Sequence, residues 1–156
     1  MLRGHRVLLA TALAALVVTG CVRANAPSNC APDDLSGTTL AIHDVHELSN
    51  HYDVFALQVI IDGCLFFHTE DTSLLTKPEL SIPARPVTPG PHAIEIASQY
   101  RSGFGADMHD YEWWLRGTMQ ADFEGGHPYT LLIHRTEIMH KDPRQRVVTN
   151  VSVRED

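Results

Sequence analysis

Residues 111–123 read Tyr-Glu-Trp-Trp-Leu-Arg-Gly-Thr-Met-Gln-Ala-Asp-Phe, and their spacing decides the fold class. Tyr111, Trp113, Leu115, Met119, Ala121 and Phe123 occupy alternate positions. Glu112, Arg116, Thr118, Gln120 and Asp122 lie between them, joined in that row by Trp114. A period of two sends successive side chains to opposite faces, so the stretch predicts a long strand with one dry face and one wet face. A helix would instead group Leu115, Thr118 and Met119. Gly117 is the candidate for a bulge or bend in this strand.

Downstream, Glu124-Gly125-Gly126-His127 forms a turn, and Tyr129 to His134 follows as a strand with Tyr129, Leu131 and Ile133 aligned. Lys141-Asp142-Pro143 interrupts the chain before a last strand from Val147 to Val153. Upstream lies a glycine-containing loop over 101–110, preceded by an alternating strand from His92 to Gln99 with Ile94 and Ile96 inward. Thr88-Pro89-Gly90-Pro91 is a tight turn. A short strand from Leu80 to Ile82 is expected to stop at Pro83, because the prolines at 83, 86, 89 and 91 exclude a regular central strand. Residues 69–79 are a polar connection with one helical turn near Thr72 to Leu75.

Tyr52 to Ile61 is the strongest buried strand, with Phe55, Leu57, Val59 and Ile61 on one face and Val54 and Ile60 on the other. Asp62-Gly63 then makes a two-residue hairpin, since both residues tolerate positive φ, and Cys64 to His68 returns. Thr38 to His43 is the first strand, with Leu40 and Ile42 sharing a face; the polar residues 44–51 carry no clear period. Seven or eight short strands without a long helix predict an all-β antiparallel β-sandwich over residues 38–156.

Before it, Arg3 and Arg6 precede an apolar run that ends in Val18-Thr19-Gly20-Cys21. A basic start, an apolar middle and small residues at the cut are the order of a secretory signal. The tetrapeptide resembles the lipobox of bacterial lipoproteins. That resemblance implies a signal peptide over 1–20, acylation of Cys21, and a lipid anchor in the cell envelope, with Val22 favouring the outer membrane. The run from Val7 to Val18 is 12 residues, whereas a membrane span needs about 17–25. Residues 21–37, rich in Asn, Pro, Ser and Asp, read as a lipidated tether.

The formal charge is −7, and losing Arg3 and Arg6 makes it more negative. An acidic chain is poorly suited to nucleic acid, which is held through Lys and Arg contacts to phosphate. The expected partners are the membrane, through the lipid, and an envelope protein or small ligand. With Cys21 lipidated, Cys30 and Cys64 remain, and an even pair in an exported chain predicts one disulfide.

Three stretches carry a family resemblance: Ile61-Asp62-Gly63, Val87 to Ile96 (VTPGPHAIEI) and Gly125 to Leu131 (GGHPYTL). The first two resemble the PEGA-like and transthyretin-like sandwich modules of bacterial surface proteins, in which a strand ends in Asp-Gly and a Pro-Gly-x-His turn launches the next. The third resembles a motif of small exported lipoproteins. The Pro-Glu-Gly-Ala element itself is absent. The resemblance implies an Ig-like or transthyretin-like sandwich and a non-catalytic role.

His43, His46 and His51 cluster, with Asp44, Glu47 and Asp53 among them. Imidazole and carboxylate ligands suit zinc or copper, so a metal-binding envelope protein is the alternative reading. On one strand, however, His43 and His46 face opposite sides. His46 to His51 also misses the zinc-protease motif, whose histidines stand four apart on a helix rather than five. His92 and His127 follow turns and are expected to bond turn backbone. No Gly-x-Ser-x-Gly elbow is present. The acid pairs Glu70-Asp71 and Asp107/Asp110 fall in polar loops, so an envelope hydrolase ranks third. Trp114 stands on the polar face of its strand. It serves either as an exposed anchor for a ligand or partner, or as a residue buried against a loop or second sheet, and burial is the favoured expectation. Neither a cofactor nor a catalytic residue is expected.

Overall fold

The computed structural model describes residues 37–102 and 111–156. They form eight strands: β1 Thr39–Glu47, β2 Tyr52–Ile61, β3 Cys64–Thr69, β4 Glu79–Pro86, β5 Gly90–Ser102, β6 Tyr111–Phe123, β7 Pro128–Glu137 and β8 Val147–Glu155. A single helical turn, α1 Thr72–Leu75, and a 3-10 turn at Pro143–Gln145 complete the described elements. The strands make two four-stranded sheets, ordered β4-β1-β7-β8 and β3-β2-β5-β6. Each sheet buries one face against the other, which is the β-sandwich that the alternation predicts. Leu40 and Ile42, Leu57 and Val59, Ile94 and Ile96, and Leu131 and Ile133 meet in the shared core.

β6 has the expected bounds, with Leu115 and Phe123 buried and Glu112, Arg116, Thr118, Gln120 and Asp122 exposed; against expectation, Tyr111 at its start and Trp114 are exposed as well. Gly117 does not interrupt it. The glycine pairs with Ile96 in unbroken register, and a Cβ added there would meet nothing within 4 Å. The Asp62-Gly63 hairpin is present, with both residues at positive φ (51° and 79°), the conformation that a twisted two-residue turn demands.

Three expectations need correction. First, β2 carries a bulge against β5, where Val54 pairs with Tyr100 but Ala56 with Gln99. The extra residue resets the alternation. Tyr52 and Val54 therefore join Leu57 and Val59 in the core, and Phe55 leaves it to lie under the Arg101 guanidinium, 4.3 Å from the ring centroid. Second, β4 runs through Pro83 to Pro86 instead of stopping. As an edge strand it pairs only with β1, with a register shift where the prolines fall, and an edge tolerates the missing donors. Third, β1 continues past His43 to Glu47 and pairs with β7 in parallel. Only strands joined by a hairpin must run antiparallel, and β1 and β7 are far apart in the chain.

Candidate functional site

The histidines disperse. His43, on the outer side of β1, meets Ser81 Oγ at 3.2 Å and Glu79 Oε1 at 3.5 Å, both on β4. His46 belongs to the inward row with Leu40, Ile42 and Asp44, at the strand's far end. His51 sits in the turn before β2. Elsewhere single carboxylates lie beside three rings: Glu70 at His68 (3.2 Å), Glu155 at His127 (2.7 Å) and Glu47 at His134 (3.6 Å). Among the described residues no group of three or more His, Cys, Asp or Glu could hold a metal ion. The structure therefore does not bring His43, His46 and His51 together.

His92 is the most buried histidine held against a carboxylate among the described residues. Its Nδ1 lies 2.6 Å from Asp62 Oδ2 and its Nε2 2.8 Å from the Thr88 carbonyl oxygen. The Ala93 N–H, with His92 beside it, holds the Asp62 carboxyl below the usual carboxylate range. A catalytic dyad would leave Nε2 to take a proton from a nucleophile. Here a carbonyl occupies it, so this pair ties the β2–β3 turn to the start of β5. Asp71 is likewise accounted for locally: it caps α1, accepting from Ser73 N at 2.9 Å.

One end of the sandwich is different in kind. There β1 and β7 finish and β2 and β8 begin. Arg135 on β7 and Asp44 on β1 are both buried between the sheets and form an ion pair, and Arg135 Nη2 donates to Ser98 Oγ on β5 at 3.0 Å. Burial opposes the guanidinium charge, but Tyr100 and Asp44 more than offset it, so its pKa lies above the usual arginine value. Tyr100 also stacks on Trp113, with ring centroids 5.6 Å apart.

Outside this pair, a cleft of about 260 Å³ opens between the end of β1, the start of β2 and α1. His46, Ser49, Asn50, Tyr52 and Asp53 supply its polar lining, and Leu48, Val54 and Leu75 its apolar lining. Both ring nitrogens of His46 and the Ser49 hydroxyl are shielded from solvent without a hydrogen-bond partner among the described residues. Burial pushes the Tyr52 phenol up, against an opposing hydrogen bond from Arg146. Nearly all buried polar groups in folded proteins are paired, so the unpaired side chains of His46 and Ser49 make this cleft the candidate site. Of the candidate metal ligands read in the sequence, His46 and Asp53 lie here. The other lining residues were missed because no local spacing links Ser49 and Tyr52 to Leu75.

Trp114 is not buried. The sandwich has only two layers, nothing among the described residues covers this outer face, and the residue remains 42% exposed. Its ring lies 5.9 Å from the Arg116 guanidinium, which donates to Glu95 at 2.7 Å. Cys21 and Cys30, like Asp107 and Asp110, fall outside the described residues; Cys64 opens β3 beside the hairpin. No helix among the described residues is long and apolar enough to cross a membrane. No family model, curated protein or solved structure matches the chain.

Proposed function

We propose that this chain is a non-catalytic binding module of the bacterial cell envelope, anchored by lipid at Cys21, that takes a small polar ligand in the cleft beside His46. The observation that carries the reading is the His46 ring, whose two nitrogens line a cleft and lack partners among the described residues. A buried polar group left unpaired costs about 1–3 kcal/mol. Such departures from local optimisation concentrate where function needs them. Neutral imidazole offers one donor and one acceptor, and a hydroxyl offers both. The matching ligand therefore carries donors and acceptors together, as a sugar, polyol or amide does.

The His46→Leu variant tests this. Without ligand it should be at least as stable as the parent, because the unpaired nitrogens are gone. It should also lose the gain in Tm that the parent shows with a panel of small sugars, polyols and amides. A fall of several degrees in the unliganded variant would mark the ring as a structural support and remove the site.

The anchor rests on Arg3, Arg6 and the run ending at Cys21. β1 begins beside the end of the tether and finishes at the cleft, so roughly 30 Å of strand separates attachment from ligand. The two-sheet architecture, with turns at Asp62-Gly63 and before His92, supports the PEGA-like or transthyretin-like resemblance. Cys21→Ala should release the protein from the membrane fraction or leave it unprocessed. The intact mass of unreduced, membrane-extracted parent should match a chain that starts at an acylated Cys21 with Cys30 and Cys64 joined. Equal fatty-acid labelling of parent and variant would sink the anchor, and two alkylatable thiols would sink the disulfide.

A further inference from the structure

The two flanks of the sandwich differ in how their edges are built. On one flank lie β3 and β4, bridged by Arg85 Nη1 donating to the Phe66 carbonyl at 3.0 Å. β3 is short and shifts register against β2, and β4 shifts register and carries Pro83 and Pro86. Short strands, bulges and prolines are the means by which natural edges refuse another strand. The other flank carries β6 and β8, which touch each other. β6 runs from Tyr111 to Phe123 without a proline or a register shift, and among the described residues it pairs with β5 alone. Its open side presents on the order of 40 Å of backbone donors and acceptors, a ready template for one more strand.

We infer that β6 pairs antiparallel with β6 of a second copy about a twofold axis, joining two four-stranded sheets into one. The inner faces of both copies stay on the same side only if inward residues pair with inward residues. With the axis at Met119, Leu115 faces Phe123 and Arg116 faces Asp122, each contact made twice, and the paired segment is Leu115 to Phe123. An axis at Gly117 would set Glu112 against Asp122, and one at Arg116 would set that residue against itself; like charges directly opposite are destabilising. An axis at Trp114 also matches charges, Glu112 to Arg116, but engages only residues 111–117. An axis at Thr118 overlaps residues 113–123 but sets Arg116 against Gln120, so of the registers that match opposite charges the Met119 one has the longer overlap. It also brings the exposed Trp114 beside Glu124 of the second copy. The pairing is independent of the cleft, which lies at the end of the sandwich and not on this flank. The two β1 strands begin at opposite ends of the joined sheet, and a chain the length of residues 22–37 spans up to roughly 55 Å, enough for both anchors to enter one bilayer.

Sedimentation velocity of the detergent-extracted full chain, from low micromolar to about 200 µM, tests the pairing, with charge swaps as internal controls. The parent should dimerise. Arg116→Asp and Asp122→Arg should each weaken the dimer about tenfold or more, by turning two attractive cross-strand contacts repulsive. The double swap should restore it to near the parent, which also excludes misfolding as the cause of the single losses. A chain monomeric throughout this range overturns the inference. So does a dimer indifferent to both single swaps, or a double swap no better than either.

Discussion

Replacing Arg135 with leucine should cost about 3–5 kcal/mol, the loss expected when one partner of a buried ion pair is removed and the other charge stays behind. Arg135 is 0% exposed and Asp44 is 2% exposed, so water cannot reach the orphaned carboxylate without opening the sandwich. Asp44→Leu should cost a similar amount, because it strands the guanidinium with only the neutral partners Ser98 and Tyr100. Combining Asp44→Leu with Arg135→Leu should recover most of either loss. The double change removes both charges and with them both desolvation penalties, and apolar replacements of similar volume often match a buried pair. Urea unfolding of the four proteins gives the cycle, with a coupling energy well above the error of such measurements. Single losses under about 1 kcal/mol, or a double variant as unstable as the sum of the two, would show that the pair does not hold the sheets together. With total domain stability on the order of 5–15 kcal/mol, either single change should bring the protein close to unfolding at ambient temperature.

Leu115→Ala should cost about 2–5 kcal/mol, and Arg116→Ala no more than about 0.5 kcal/mol when measured in dilute monomer. The two residues are neighbours on β6 and point opposite ways. Leu115 is 8% exposed and packs into the core, so truncation loses its transfer energy and leaves a cavity. Arg116 lies on the open face, where its bond to Glu95 is solvated and worth little. For a domain of this size the leucine change should lower Tm by on the order of 10 °C, while the arginine change should scarcely move it. Equal effects would mean that β6 does not present one face to the core.

The strands themselves were legible because their causes are local. The alternation from Tyr111 to Phe123, the run from Tyr52 to Ile61, the Asp62-Gly63 turn and the helical turn at Thr72–Leu75 each depend on residues a few positions apart. Side-chain period and turn chemistry act over that range. Together these elements determined an all-β sandwich without any knowledge of which strands pair.

What only the tertiary structure decided depends on partners distant in the chain. Asp44 looked like the start of a polar loop, yet it is a core position because Arg135, far along the sequence, neutralises it on the adjacent parallel strand. Phe55 broke its apparent row because pairing with β5 inserted a bulge, which no side-chain pattern encodes. β4 passed through its prolines because it came to lie at an edge, where a missing donor costs nothing. Trp114 stayed exposed because no third layer of the described residues packs on its sheet. The cleft at His46 exists because the end of β1 and the start of β2 meet α1, leaving polar atoms that the described chain does not itself satisfy. Period and turn residues set local conformation; pairing, edges and buried charge are set by which segments meet, and that is a property of the whole fold.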